Sequence, residues 1–235
     1  MKTVRLDKFL SVNTKYSRSE IKKLVKAGKV TVDGVAAKDY DIHISAANSE
    51  ITVNSQKIEY KKYVYLIMNK PAGILSACND KSRKTVVDLV GEEYKHFSLF
   101  PVGRLDKDTT GILLLTNDGE FAHKVISPKS NIEKSYIATV DDVPPEDLPQ
   151  RFKEGIVLAD GTVCKSAKAE ILKDNKVRIV LTEGKYHQIK RMLGVVGLGV
   201  NALHRERIGK ITLPENLLPG ECVELFDKEI CTFFP

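Results

Sequence analysis

The spacing of four short apolar runs along the last three quarters of the chain is what most restricts its fold. Val64-Tyr65-Leu66-Ile67-Met68, Ile112 to Leu115, Tyr136 to Val140 and Val177 to Leu181 each have the length and character of a strand. Helical spacing in the same region falls near Glu120 to Ile126 and His187 to Val196. A doubly wound parallel sheet needs strands and helices in steady alternation, and this order does not supply it. The chain is therefore expected to be α+β, and it shows no internal repeat and no low-complexity tract.

Ahead of these runs stands a smaller pattern. Ser17-Arg18-Ser19-Glu20 has the S-x-x-E form of a capping box, in which the two side chains satisfy free amide donors at a helix start. A helix follows from about Arg18 to Ala27, closed by Gly28. Ile21, Leu24 and Val25 fall on one face of it, while Arg18, Lys22 and Lys26 recur every fourth residue on another. Val30-Thr31-Val32 then runs into Asp33-Gly34, a two-residue hairpin signal, and Ile51-Thr52-Val53 supplies a further short strand. The Lys61-Lys62 junction separates this unit from the strand that ends at Asn69-Lys70-Pro71-Ala72-Gly73. The expected division is a helical and β domain over 1–60 and a second domain over 61–235.

Charge divides the chain at the same place. Residues 1–62 carry 13 Lys and Arg against 7 Asp and Glu, and residues 63–235 carry 24 against 24, so the whole net charge of +6 sits in the first quarter. Such asymmetry points to a nucleic-acid-binding appendage. The remainder, in a chain of 235 residues that is 42% apolar, can bury a sizeable core. No run approaches the roughly 20 apolar residues of a membrane span, and Met1 to Asp7 lacks the apolar stretch of a secretion signal, so a cytoplasmic protein with no membrane partner is expected. Cys78, Cys164, Cys222 and Cys231 are too few and too scattered for a disulfide framework or a zinc knuckle.

Gly103-Arg104-Leu105-Asp106-Lys107-Asp108-Thr109-Thr110-Gly111 leads into the apolar strand Ile112 to Leu115. Taken alone it reads equally as a surface turn, for which Asp and Gly are ordinary residues, or as a functional loop. Asp106 to Thr110 also has the D-x-D-x-T form of magnesium-dependent, haloacid-dehalogenase-like phosphatases. That form should follow a continuous apolar strand, whereas Gly103-Arg104-Leu105 precedes it here.

Several segments together resemble the RsuA family of ribosomal RNA pseudouridine synthases. They are Asn69-Lys70-Pro71, the Gly103 to Gly111 loop, Glu133-Lys134-Ser135-Tyr136, Glu183 through Met192, and Leu203-His204-Arg205-Glu206-Arg207-Ile208-Gly209, in family order. The amino-terminal unit is similar to the alpha-L, ribosomal protein S4-type RNA-binding module that this family carries. The resemblance implies a small RNA-binding domain followed by a catalytic domain built on a mixed, largely antiparallel sheet. It implies isomerisation of uridine to pseudouridine with no cofactor and no metal, chemistry that breaks the C1′–N1 bond, turns the uracil and rejoins it through C5.

The resemblance also assigns roles. Asp106 is the catalytic carboxylate, and attack at C1′, attack at C6 and removal of a sugar proton are all open to it. Lys190 supplies the cation that keeps Asp106 ionised, where many relatives have arginine; without a functional role it is a solvated position on a helix that buries Ile189, Met192, Leu193 and Val196. Tyr136 stacks on the uracil and assists loss of the C5 proton, or is simply a half-buried strand aromatic. Arg104 helps hold the nucleotide out of its stack. Leu203 forms an apolar wall, a residue that would serve a core equally well. Lys185, Lys190, Arg191, Arg205, Arg207 and Lys210 stand against Glu206 alone over 185–210 and offer phosphate contacts beside the site, as Arg18, Lys22 and Lys26 do in the first domain. His187 and His204 read as RNA-contacting or structural. The segments from Tyr186 to Met192 and from Leu203 to Gly209 look closer to RsuA than to the sister families that act on 23S rRNA. The implied partner is 16S rRNA, at the family target U516, in a small-subunit assembly intermediate, with the protein as a monomer. A non-catalytic RNA-binding relative would be expected to lose Asp106 or Tyr136, and both are present.

Overall fold

The computed structural model describes residues 3–233, and two units can be distinguished in it. One takes in the chain up to Val64 together with Gly91–Leu99; the other takes in Tyr65–Val90 and the chain from Phe100 onward.

In the first unit β1 (Thr3–Arg5) runs into α1 (Leu6–Asn13), followed by α2 (Arg18–Lys26). The capping box forms: Glu20 N–H donates to Ser17 Oγ at 3.4 Å, and Ser17 N–H donates to the Glu20 carboxylate at 2.8 Å. Gly28, at φ +67°, lets Lys29 N–H reach back to the Leu24 carbonyl at 3.0 Å and so ends the helix. Ile21 and Val25 are buried with Leu6, Phe9 and Leu10 of α1. Full burial of such a side chain stabilises the fold by roughly 1.5–3 kcal/mol. Arg18, Lys22 and Lys26 are exposed on the opposite face, as the four-residue spacing predicts.

The helices pack with β2 (Val30–Val32), β3 (Val35–Ala36), β4 (His43–Ser45), β5 (Ile51–Val53) and β6 (Gln56–Ile58). These form a β1–β4 pair and a sheet ordered β3-β2-β5-β6. Asp33 and Gly34, at φ 51° and 80°, make the tight hairpin between β2 and β3.

The second unit carries β7 (Tyr65–Lys70), β8 (Phe100–Pro101), β9 (Thr110–Thr116), α3 (Gly119–Ile126), β10 (Lys134–Val140) and α4 (Leu148–Glu154). These are followed by β11 (Lys168–Ile171), β12 (Lys176–Leu181), α5 (Gln188–Val195), β13 (Val200–Ile208), β14 (Ile211–Thr212) and β15 (Cys222–Glu224). All four strands expected from the apolar runs are present, each a residue or more longer than the run itself. The sheet is ordered β11-β12-β10-β13-β9-β7-β15, with β14 on β13 and β8 on β9. Its strand pairs are antiparallel except β13 with β9, so the sheet is mixed and largely antiparallel.

That parallel pair requires a glycine. Gly111 sits at φ +100° opposite Arg205, and a Cβ there would collide with the Arg205 backbone. The glycine that closes the Gly103 to Gly111 loop thus lets β9 approach β13. Among the described residues no helix is long and apolar enough to cross a membrane.

Candidate active site

Asp106 lies in the stretch between β8 and β9, and three sets of contacts fix its loop. Thr109 N–H donates to the Asp106 carbonyl at 3.2 Å, which makes the stretch a tight turn. Ser76 Oγ donates to the Leu105 carbonyl at 2.9 Å and accepts from Leu105 N–H at 3.1 Å. Lys70, at the end of β7, is fully buried, and its ammonium donates to the carbonyls of Pro71, Lys107 and Thr109 at 3.0, 3.2 and 2.9 Å. Burial pushes the Lys70 pKa down to about 8, although Asp108 and Asp106 draw it back up. An ammonium out of water is tolerated here because the carbonyls of a tight loop need donors.

The Asp106 carboxylate lines an open cleft shared with Arg104, Tyr136, Leu203, His187 and Lys190. Lys190 Nζ, on α5, stands 3.8 Å from Asp106 Oδ2 and 2.6 Å from Asp108 Oδ2. Its shorter contact is therefore with Asp108, whose carboxyl the Lys190 hydrogen bond holds below its usual range. His187 Nε2 is 3.4 Å from Asp106 Oδ1.

Tyr136 and Leu203 are 8% and 7% exposed, on neighbouring strands β10 and β13. Arg205 lies behind Tyr136: its Nε donates to the Ile112 carbonyl at 2.8 Å, Nη1 reaches the Tyr136 hydroxyl at 3.4 Å, and the guanidinium carbon is 5.8 Å from the ring centre. Arg205 Nη2 and Thr109 Oγ1 are buried without a hydrogen-bond partner among the described residues.

The structure corrects the expectation of one basic patch over 185–210. Arg205 is 3% exposed and supports Tyr136, so it is no surface phosphate contact. A β-bulge in β13 at Glu206, between the Arg205–Tyr136 and Arg207–Ser135 pairs, turns Arg207 away from the cleft, and it pairs with Glu133 at 3.1 Å beside a separate cavity lined by Ser135, Arg178 and His204. Arg191 pairs with Asp160 at 2.6 Å. Lys185 donates to the Val163 carbonyl at 2.8 Å and pairs with Glu183 at 2.9 Å. Arg104, by contrast, is exposed within the cleft.

Glu183 and Gln188 carry structure that the residues alone did not disclose. Gln188 Nε2 donates to Glu183 Oε1 at 2.6 Å, and Gln188 Oε1 accepts from Lys185 N–H at 2.9 Å. Burial raises the Glu183 pKa, but donors from Lys185, the Lys165 amide and Gln188 outweigh it and leave the carboxyl lowered. This buried hook shapes the turn into α5 that presents His187 and Lys190. Its signal in the sequence was two polar residues flanking a helix start, which is too common to assign.

A carboxylate beside a lysine, with an aromatic and an apolar side chain as walls, lines one cleft of a mixed sheet, and a unit with a basic helix face precedes it in the chain. Residues 64–194, which include Asp106, Tyr136 and Lys190, match the family model described as RNA pseudouridylate synthase, and residues 4–59 match the S4 domain. The chain belongs to the RsuA family of RNA pseudouridine synthases and is an enzyme that isomerises uridine in RNA. It is 43% identical over 232 residues to the RNA pseudouridine synthase YtzG of Bacillus subtilis, covering 97% of each chain. It is 34% identical over 230 residues to ribosomal small subunit pseudouridine synthase A of Escherichia coli strain K12, covering 97% of this chain and 99% of that one. A crystal structure of a pseudouridylate synthase matches with a TM-score of 0.69 and 35% identity, over 98% of this chain and 99% of that one.

Proposed function

We propose that the cleft isomerises one uridine of 16S rRNA, the family target U516, with Asp106 as nucleophile. The observation that carries this reading is the Asp106 carboxylate in one cleft with Lys190 3.8 Å away and with Tyr136 and Leu203 as walls. Extruding the uridine costs a few kcal/mol of stacking and pairing, which contacts from Arg104 and the pocket walls must offset. A uracil seated against Tyr136 displaces water from Asp106, and desolvation alone would favour the neutral acid. Lys190 opposes that change. Its compact ammonium on a flexible stem is shared with Asp108 in the free enzyme and is drawn toward Asp106 when the nucleotide enters.

The C1′–N1 bond then breaks, the uracil turns, and a C5–C1′ bond forms. C5 loses its proton and N1 ends with one, so the overall change is an isomerisation with no redox partner. Tyr136, with Arg205 behind it, assists the late loss of the C5 proton.

Similarity at 34–37% identity, over nearly the full length, to enzymes named ribosomal small subunit pseudouridine synthase A supports the small-subunit target. Two small units cover limited RNA surface, so selection rests on the shape of a folded, partly assembled RNA as well as on a few unpaired bases. Arg18, Lys22 and Lys26 supply its sequence-independent part. Incubating the purified monomer with 16S transcript, 23S transcript and partly assembled small subunits, then mapping pseudouridine chemically, tests the substrate. One 16S position, modified best in the assembly intermediate, is expected; modification confined to 23S rRNA would overturn the target.

A further inference from the structure

We infer that His187 is a positioning residue for Asp106: its imidazole donates from Nε2 to Asp106 Oδ1 and fixes which carboxylate oxygen faces the nucleotide. The inference rests on the reading of Asp106 as nucleophile and adds a residue to its machinery.

The first support is placement. His187 Nε2 lies 3.4 Å from Oδ1, while Lys190 Nζ lies on the Oδ2 side at 3.8 Å, so the two oxygens face different donors. Contacts of this kind are often long in a free enzyme and tighten once the site fills and water leaves. Lys190 alone is a poor orienting group, because its hydrogen bonds go to Asp108. An ammonium shared between two carboxylates supplies charge without direction, whereas a ring nitrogen held on a fixed backbone supplies direction.

The second support is the backbone. His187 adopts φ 47°, ψ 35°, a left-handed conformation that L side chains rarely take. The surroundings enforce it: the Glu183–Gln188 hook holds the preceding turn, and Arg191 N–H donates to the His187 carbonyl at 2.9 Å as the first turn of α5 begins. Glycine would remove the strain, yet the position carries a side chain whose polar end is aimed at Asp106. Strain kept at a position that faces the reacting carboxylate indicates a use for that side chain.

The third support is the ring itself. Tyr186 stacks on His187 with centroids 3.8 Å apart and planes 19° from parallel, which limits rotation of the imidazole. A histidine with its backbone pinned and one ring face covered is preorganised, as an orienting donor must be.

Two variants keep the left-handed backbone and remove the reach to Asp106: His187→Gly, which is at ease there, and His187→Asn, which tolerates the conformation but is too short. Both are expected to lose on the order of 10- to 100-fold in kcat, the penalty of a misplaced reacting group, with KM for the RNA little changed. Added imidazole should restore part of the His187→Gly activity, which no purely structural role would allow. Wild-type kcat in both variants, with Asp106→Asn inactive, would overturn the inference. A raised KM with kcat intact would also overturn it and make His187 an RNA contact. Turnover retained by Asp106→Asn would instead remove the reading of Asp106 on which the inference stands.

Discussion

The positive charges of the two units are held in different surroundings. In the amino-terminal unit Arg18, Lys22 and Lys26 stand exposed along one face of α2. In the catalytic unit Lys70 and Arg205 are buried against backbone carbonyls, and Lys190 is set between two carboxylates. Exposed charges act through water, so each contributes modestly, adds to its neighbours and is screened by salt. Buried ones give up hydration, so each depends on the particular groups that partner it. The first unit is therefore built to tolerate change and the second to resist it.

The glycines sharpen that contrast most. Gly34 and Gly111 both have positive φ, but a Cβ at Gly34 meets nothing, whereas one at Gly111 runs into the Arg205 backbone. Gly111→Ala is expected to cost about 2–5 kcal/mol, the penalty of overpacking added to that of the left-handed backbone, and to abolish activity through the Asp106 loop. Gly34→Ala should cost about 1–2 kcal/mol, the left-handed penalty alone. Urea unfolding of the two variants checks this, and equal losses would break the comparison.

A smaller effect is expected from replacing Arg18, Lys22 and Lys26 together with Gln. RNA affinity at low salt should fall roughly tenfold or more, and the slope of log K against log salt should flatten by about 1 for each phosphate the face no longer neutralises. The rate of isomerisation at saturating RNA should not move. An unchanged salt slope would mean that this face is not an anchor, and a changed kcat would mean that the two units do not divide the work as described.

Local signals were legible in the sequence where a single stretch carried its own physics. The Ser17–Glu20 box, the Asp33-Gly34 turn and the four apolar strands needed no distant partner to be read. The start of α1 was not legible, because Arg5 sits at its N-cap without a side-chain hydrogen bond. β13 carries no such signal either, since Arg205, Glu206 and Arg207 break the apolar alternation of a buried strand. Arg205 looked like a surface cation because its partners, Tyr136 and Ile112, lie 69 and 93 residues away. Lys70 was visible only as part of a motif; its work, holding Lys107 and Thr109 across more than 35 residues, is a tertiary fact. Gly91–Leu99 belongs with the first unit for a similar reason, through packing that chain order does not reveal.

Asp106 carries the central claim, and its isostere tests it most directly. Asp106→Asn changes charge with little change in volume, so the loop, the walls and the basic face of α2 remain. With 16S rRNA in a partly assembled small subunit, the variant is expected to form no pseudouridine in a single-turnover assay while binding the RNA within a few-fold of wild type. Substantial pseudouridine formation by verified Asp106→Asn protein would contradict the account.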